Sequence, residues 1–215
     1  MSSAKEVNMK KGISMLLIPV LVLSFLTACG GKLKVEENTV YINKKGKVTG
    51  ATVESFDKAY YDEKELESYI NQRVADYAAD HDKKSVKVDS FSVEEGVARL
   101  NIVYAGYEDY AKFNDVEMFV GTIPQAMAAG YDFKDEFLAV EDGKLAGSVE
   151  RSIVTDNADL KVVILNEKVD VKVQGTVQYV SAKYTSMAAK DTVAVKLPED
   201  AQDGEELALI YIIYK

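Results

Sequence analysis

The spacing of hydrophobic positions changes along the chain, and each change predicts a different kind of element. Between residues 39 and 56 apolar and polar residues alternate on either side of a turn, which predicts a β-hairpin. Over residues 62–80 apolar residues fall three and four positions apart, which predicts one long amphipathic helix with Asp62 as its N-cap. Two further alternating segments, 86–93 and 98–104, complete a ββαββ unit. We expect the helix to pack on a four-stranded antiparallel sheet.

The pattern is less regular between residues 105 and 145 and predicts short elements only. Pro124 near a helix start and Gly130 after its end bracket one short helix. In chain order, the predicted elements are a helix over 107–113, a strand over 116–120, a helix over 123–129 and a strand over 137–140.

From about residue 148 onward the pattern predicts strands and turns alone. The spacing of about ten residues is typical of a sandwich or a curled antiparallel sheet. The last segment is apolar on both faces and predicts a central strand, because an exposed edge of that kind promotes aggregation. The predicted strands are 149–155, 160–165, 168–173, 176–182, 192–197 and 207–214.

Together these patterns predict an α+β fold that is mostly antiparallel β. One long amphipathic helix, about 62–80, packs on a sheet, and the C-terminal part is all β. We expect an α+β subdomain over residues 38–147 and a β-rich subdomain over 148–215, or one continuous domain in which the two share a core.

The first 28 residues have the layout of a secretory signal peptide. Three lysines precede the apolar stretch 13–25, and Thr27 and Ala28 are small, as cleavage requires. The stretch is shorter than the roughly 20 residues that a membrane span needs. An uncleaved anchor, a buried helix and ordinary secretion are the alternatives. The pattern favours export and removal of residues 1–28.

The sole cysteine of the chain, Cys29, ends the run Leu26-Thr27-Ala28-Cys29. This run resembles the lipobox of bacterial lipoproteins. The resemblance implies that Cys29 becomes a diacylglyceryl cysteine with palmitate-type chains and the N-terminus of the mature protein. Two acyl chains give stable membrane anchoring. Residues 29–37 would then form a lipid-anchored tether, and the protein would lie on the outer face of the cytoplasmic membrane, at the cell surface.

The charge balance limits the possible partners. Removal of residues 1–28 takes away three lysines and one glutamate and leaves 23 basic and 34 acidic residues. Such a chain is a poor match for nucleic acid phosphates or for electrostatic docking on anionic lipid. We therefore expect no nucleic acid partner, and membrane attachment through Cys29 alone.

Few residues of the chain are candidates for catalysis, metal binding or cofactor binding. His81 is the only histidine and falls at the polar end of the predicted helix, so neither a multi-histidine metal site nor a conventional catalytic triad is predicted. No P-loop, nucleophile elbow or dinucleotide fingerprint is present. We therefore predict no cofactor. Asp200, Asp203 and Glu205 form a candidate Ca²⁺ site, although their spacing departs from the EF-hand loop and a solvated turn is the alternative.

These observations favour a non-enzymatic binding or interaction module at the cell envelope, with a protein or glycan as partner. The general character of the sequence after Cys29, including the Tyr-Ile-Ile-Tyr-Lys ending, resembles that of small uncharacterised lipoproteins of Gram-positive envelopes. A carboxylate-dependent envelope hydrolase and a small transporter-associated binding lipoprotein are the alternatives. A pocket with two converging buried acids would favour the hydrolase, whereas an exposed apolar or Tyr-rich patch would favour the binding module.

Overall fold

The structure is a computed structural model that describes residues 33–197 and 207–215. Within these residues the fold is mixed α+β, with four helices and thirteen strands in two sheets, which confirms the predicted class. The helices are α1 (Glu63–Asp80), α2 (Tyr107–Asn114), α3 (Ile123–Ala128) and α4 (Arg151–Thr155). The strands are β1 (Thr39–Ile42), β2 (Val48–Ser55), β3 (Val86–Glu94), β4 (Val97–Tyr104), β5 (Met118–Thr122), β6 (Phe137–Glu141), β7 (Lys144–Val149), β8 (Lys161–Leu165), β9 (Asp170–Val173), β10 (Val177–Ser181), β11 (Thr185–Ala189), β12 (Thr192–Val195) and β13 (Ile210–Tyr214).

The first sheet has the strand order β11-β12-β9-β1-β2-β4-β3. Its β1-β2-β4-β3 half is the antiparallel four-stranded sheet that the sequence predicts. The other half adds strands from the C-terminal part of the chain, and β9 joins β1 in parallel register. The sheet is therefore mixed where antiparallel pairing alone was expected.

The second sheet has the order β5-β8-β13-β10-β6-β7 and is antiparallel throughout. β13 lies between β8 and β10 and all five of its residues are buried, which confirms its predicted central position. Both sheets combine strands from before and after residue 148.

Two apolar layers explain why β13 is apolar on both faces. Ile210, Ile212 and Tyr214 point into the layer that joins the two sheets. Tyr211 and Ile213 point into a second layer, where α3 and α4 cover the outer face of the second sheet. Side chains alternate between the faces of a strand, so a sheet covered on both sides needs a continuous apolar run.

The predicted strand over 149–155 is wrong, because α4 occupies residues Arg151–Thr155. The C-terminal part is accordingly not all β. The apolar run here is short and β-branched, and periodicity alone does not separate a strand from a helical turn in such a run. One helical turn buries Val154 against the second sheet and leaves Ile153 exposed.

Two strands were missed, and both are edge strands. β7 ends the second sheet and β11 ends the first, and neither contains a buried residue. Edge strands with solvated faces carry little hydrophobic alternation, so the sequence offers little signal for them.

Helix α1 has the predicted bounds, and Asp62 caps it by accepting hydrogen bonds from the backbone N–H groups of Lys64 (2.8 Å) and Glu65 (3.0 Å). Only Ile70 is buried among its eighteen residues. Tyr69, which the sequence places on the apolar stripe, is 59% exposed. The helix therefore does not pack closely on the sheet along its whole length.

The first described residues lie against the outer face of the first sheet. The Asn101 side chain donates a hydrogen bond to the carbonyl oxygen of Leu33 (2.9 Å), and Arg99 forms an ion pair with Glu36 (3.1 Å). Asn38 accepts from the backbone N–H of Val53 (2.7 Å). Residues 33–38 are thus in contact with the folded body.

Candidate functional site: a cavity beneath helix α1

A cavity of about 520 Å³ lies between α1, α2 and the first sheet. α1 forms one wall with Leu66, Ile70 and Arg73, and α2 closes one end. The other wall is the inner face of β2 and β4, where the paired residues are Gly50 with Ile102, Thr52 with Leu100, and Glu54 with Ala98. Leu66 and Ile70 of α1 thus face this space, whereas Val74 and Tyr77 nearer the end of the helix pack against the core.

Gly50 allows α2 to approach the sheet closely. A Cβ atom at this position would lie 3.2 Å from Cε2 of Tyr110 and 3.5 Å from Cε2 of Tyr104. Glycine within a strand often marks such an approach of another element. The absent side chain therefore fixes where the Tyr110 ring packs at the closed end of the cavity.

The closed end of the cavity holds a hydrogen-bonded pair. The Tyr110 hydroxyl donates to Oε2 of Glu167 at 2.6 Å, and both residues line the cavity. Burial raises the pKa of the Glu167 carboxyl, and the hydrogen bond from Tyr110 partly opposes that shift. Burial, followed by the negative charge of Glu167, raises the pKa of Tyr110. The tyrosine therefore keeps its proton and acts as the donor.

The turn between β8 and β9 positions Glu167. Asn166 forms two hydrogen bonds with Glu117, its Oδ1 accepting from the Glu117 N–H (3.0 Å) and its own N–H donating to the Glu117 carbonyl (3.3 Å). The Val169 N–H donates to the Glu167 carbonyl (3.1 Å). The turn is thus held to the start of β5, and the carboxylate is presented to α2.

Aromatic rings surround this pair. Tyr104 makes edge-to-face contacts with Tyr110 (5.1 Å between centroids) and Phe113 (5.6 Å). Arg73 reaches across from α1, with its guanidinium 4.8 Å from the centre of the Phe113 ring and a 3.1 Å hydrogen bond to the Phe113 carbonyl. Asn114 donates to the Tyr104 hydroxyl (3.3 Å). These contacts join α1, α2 and β4 around the closed end.

Exposed tyrosines adjoin the other side of the cavity. Phe56 lines the cavity and stacks on Tyr61 (4.8 Å), which in turn meets the edge of Tyr60 (4.9 Å). Tyr60 is 79% exposed, and Tyr69 on α1 both lines the cavity and is exposed. We call Phe56, Tyr60, Tyr61 and Tyr69 the aromatic rim.

Four charged residues line the cavity: Glu54, Arg73, Glu167 and Lys168. Glu54, Arg73 and Lys168 are exposed, whereas Glu167 is half-buried. Among the described residues, no lysine, arginine or histidine nitrogen lies within ion-pair distance of its carboxylate. Glu167 is therefore a partly buried carboxylate, and Tyr110 is the one described side chain that donates a hydrogen bond to it.

The candidate site residues of the sequence lie elsewhere. Cys29 and the Ca²⁺ candidates Asp200, Asp203 and Glu205 fall outside the described residues. His81 lies at the C-terminal end of α1, where its ring stacks on Tyr77 (3.9 Å). Within the two described ranges, no group of three or more His, Cys, Asp or Glu side chains is arranged to hold a metal ion.

Sequence reasoning missed both Tyr110 and Glu167. Tyr110 appeared as one residue of a short helix, and Glu167 lies in the polar turn Asn166-Glu167-Lys168, which suggests solvation. The two residues are 57 positions apart, and no local pattern signals that a turn carboxylate will meet a helix tyrosine.

No family model, curated protein or solved structure matches this chain. Across the described residues, no helix combines the length and the apolar character needed to cross a bilayer. The observations therefore define a two-sheet α+β fold with a cavity under its longest described helix.

Proposed function

We propose that the protein is a membrane-anchored extracytoplasmic lipoprotein whose folded body is a non-enzymatic binding module. The cavity beneath α1 would take a small ligand with an apolar body. The single observation that carries this proposal is the cavity itself: about 520 Å³, lined mainly by apolar and aromatic side chains, with a smaller number of polar groups. Ligand sites in proteins share this size and composition.

Helix α1 would act as the amphipathic wall of this site. Leu66 and Ile70 face the cavity, and Leu66 is only half-buried. A ligand with an apolar body would cover these side chains, and each Å² of apolar surface removed from water contributes about 25 cal/mol. On this account, Leu66 and Ile70 serve ligand contact, while Val74 and Tyr77 hold the helix on the core.

The aromatic rim supports binding of a ligand that extends out of the cavity. Tyrosine rings give large contact areas at low conformational cost, and exposed aromatic side chains beside a cavity are typical of interaction sites. A glycan or peptide portion of an envelope ligand could stack on Tyr60 and Tyr69 while its apolar part fills the space below.

The proposed location at the membrane surface rests on the sequence Leu26-Thr27-Ala28-Cys29. The hydrogen bond between Leu33 and Asn101 limits how far the first sheet can lie from Cys29. The four residue steps from Cys29 to Leu33 span at most about 14 Å. A lipid on Cys29 would thus keep the outer face of the first sheet near the membrane surface. The cavity opens on the opposite face of that sheet.

No observation favours the hydrolase alternative. Among the described residues, Glu54 is the only other carboxylate that lines the cavity; it is exposed and accepts a hydrogen bond from Asn38 (3.0 Å). The described part of the lining therefore lacks the two converging buried acids that the hydrolase would need.

Native mass spectrometry of the protein released from bacterial membranes tests the binding proposal. We expect the wild-type protein to carry a non-covalent small molecule, and Leu100→Trp, which fills the cavity, to lose it. Val103→Trp, on the opposite face of the same strand, is the matched control and should retain it. A ligand held equally by both variants would contradict the cavity as the binding site.

Intact-mass analysis of the same preparation tests the proposed cleavage and lipidation at Cys29. We expect a mature chain that begins at Cys29 and carries a diacylglyceryl group. A chain that retains Met1 and an unmodified thiol would contradict it.

A further inference from the structure

We propose that the closed end of the cavity recognises a cationic alkylammonium group of the ligand, with Glu167 as its counter-ion. This inference deepens the proposed function and rests on it. The geometry assigns Glu167 as the polar end of the site, because among the described lining residues it is the one charged side chain that is half-buried rather than exposed.

The carboxylate has unused capacity to accept hydrogen bonds. Tyr110 donates to Oε2, and no described residue donates to Oε1. A carboxylate has about four acceptor positions, so an ammonium group with three N–H donors would find free oxygen lone pairs here. Charge-assisted hydrogen bonds of this kind are stronger than neutral ones.

No cation of the described residues forms an ion pair with Glu167. Removing a carboxylate from water is unfavourable unless an opposite charge or hydrogen bonds compensate, and the described part of the protein supplies one side-chain hydrogen bond, from a neutral hydroxyl. A ligand cation would complete the compensation. The raised pKa of Glu167 is the consequence of the same incomplete compensation.

The groups that face Glu167 from the surrounding elements do not replace that cation. α2 contributes Tyr110, β4 contributes Tyr104, and both hydroxyls are neutral because burial raises their pKa values. Lys168 follows in the same turn and is exposed to solvent. Arg73 on α1 is bonded to the carbonyl and ring of Phe113.

Three probes with one apolar body and different head groups test this inference: phenylbutylammonium, phenylbutanol and phenylbutanoate. Each is titrated by saturation-transfer NMR into the full protein in lipid nanodiscs, with empty nanodiscs as the blank. We expect the wild-type protein to bind the ammonium probe about tenfold more tightly than the alcohol, and the carboxylate probe most weakly.

Two variants locate the preference. Glu167→Gln should reduce the ratio between ammonium and alcohol affinities to about one, because the amide carries no charge to attract the cation. Glu54→Gln removes the exposed carboxylate of the same cavity and should keep the full ratio. A preference that survives Glu167→Gln, or a wild-type protein that favours phenylbutanoate, would overturn the inference.

The pH dependence of wild-type binding gives a second measurement that needs no variant. Ammonium binding should strengthen as pH rises through the Glu167 pKa, because only the ionised carboxylate attracts the cation. Alcohol binding should stay constant. If all three probes bind equally, only the assignment of Glu167 fails; if none binds, the cavity proposal itself fails.

Discussion

The Tyr110 hydroxyl lies 2.6 Å from Oε2 of Glu167 and joins α2 to the turn between β8 and β9. This contact links two parts of the chain that the sequence alone does not bring together. It closes one end of the cavity and places the least solvated charge of the lining at that end.

Loss of the Tyr110 hydroxyl should destabilise the fold. Tyr110→Phe keeps the ring contacts but leaves a partly buried carboxylate without its donor, and we expect a loss of about 1–2 kcal/mol in the free energy of unfolding. Urea denaturation at neutral pH measures the change. Tyr60→Phe, at a highly exposed position, should be neutral. Equal losses of unfolding free energy in the two variants would show that the hydrogen bond from Tyr110 to Glu167 does not stabilise the fold.

A side chain at residue 50 should disturb the packing of α2. Gly50→Ala places a Cβ atom 3.2 Å from the Tyr110 ring, which cannot retreat easily because Glu167 and Tyr104 hold it. Overpacking of this kind costs about 1–3 kcal/mol. Gly147→Ala is the matched control, since a Cβ atom there meets nothing within 4 Å. Thermal unfolding should show a lower Tm for the first variant only.

Two ion pairs of equal length should differ in their contribution to stability. Lys172 Nζ lies 2.6 Å from Asp191 Oδ2 with a buried lysine, and Lys134 Nζ lies 2.6 Å from Asp132 Oδ2 at the surface. Asp191→Asn leaves a buried ammonium with a weaker partner, and we expect a loss of about 2 kcal/mol or more. Asp132→Asn should cost much less, because solvent screens an exposed ion pair. Denaturant titration of both variants measures the two losses in the free energy of unfolding. Similar losses would contradict the conclusion that burial makes the Lys172–Asp191 pair more important.

The stability of the wild-type protein relative to Glu167→Gln should fall as pH rises. Burial raises the Glu167 pKa above its ordinary value of 4.5, so the folded state binds this proton more tightly than the unfolded state does. The contribution is fully present below about pH 4.5 and is lost as pH rises through the higher folded-state pKa. Urea titrations of both proteins from about pH 4 to pH 7 measure the difference. A difference that does not change with pH, or that changes in the opposite direction, would be inconsistent with the raised pKa.

Regular, half-buried elements could be predicted from the sequence. The ββαββ order, the bounds of α1 and the central place of β13 follow from hydrophobic spacing, because burial on one face or two leaves a period in the chain. β7, β11 and α4 could not be predicted in this way. The first two carry no buried residue, and α4 is a single turn whose type the tertiary packing of Val154 decides.

The cavity could not be predicted from the sequence for a different reason. Hydrophobic spacing shows that Leu66 and Ile70 share a face of α1, but not whether that face meets a packed sheet or an open space. Gly50, Tyr110 and Glu167 decide the outcome, and they come from three segments that are distant along the chain.

The most direct test of the cavity is the position of a bound probe. In protein labelled at its isoleucine and leucine methyl groups, phenylbutylammonium should give intermolecular NOEs to Ile70 on α1 and to Leu100 and Ile102 on β4, the two facing walls. NOEs confined to the exposed methyl groups of Leu145 and Ile153, with none to those three residues, would contradict the account.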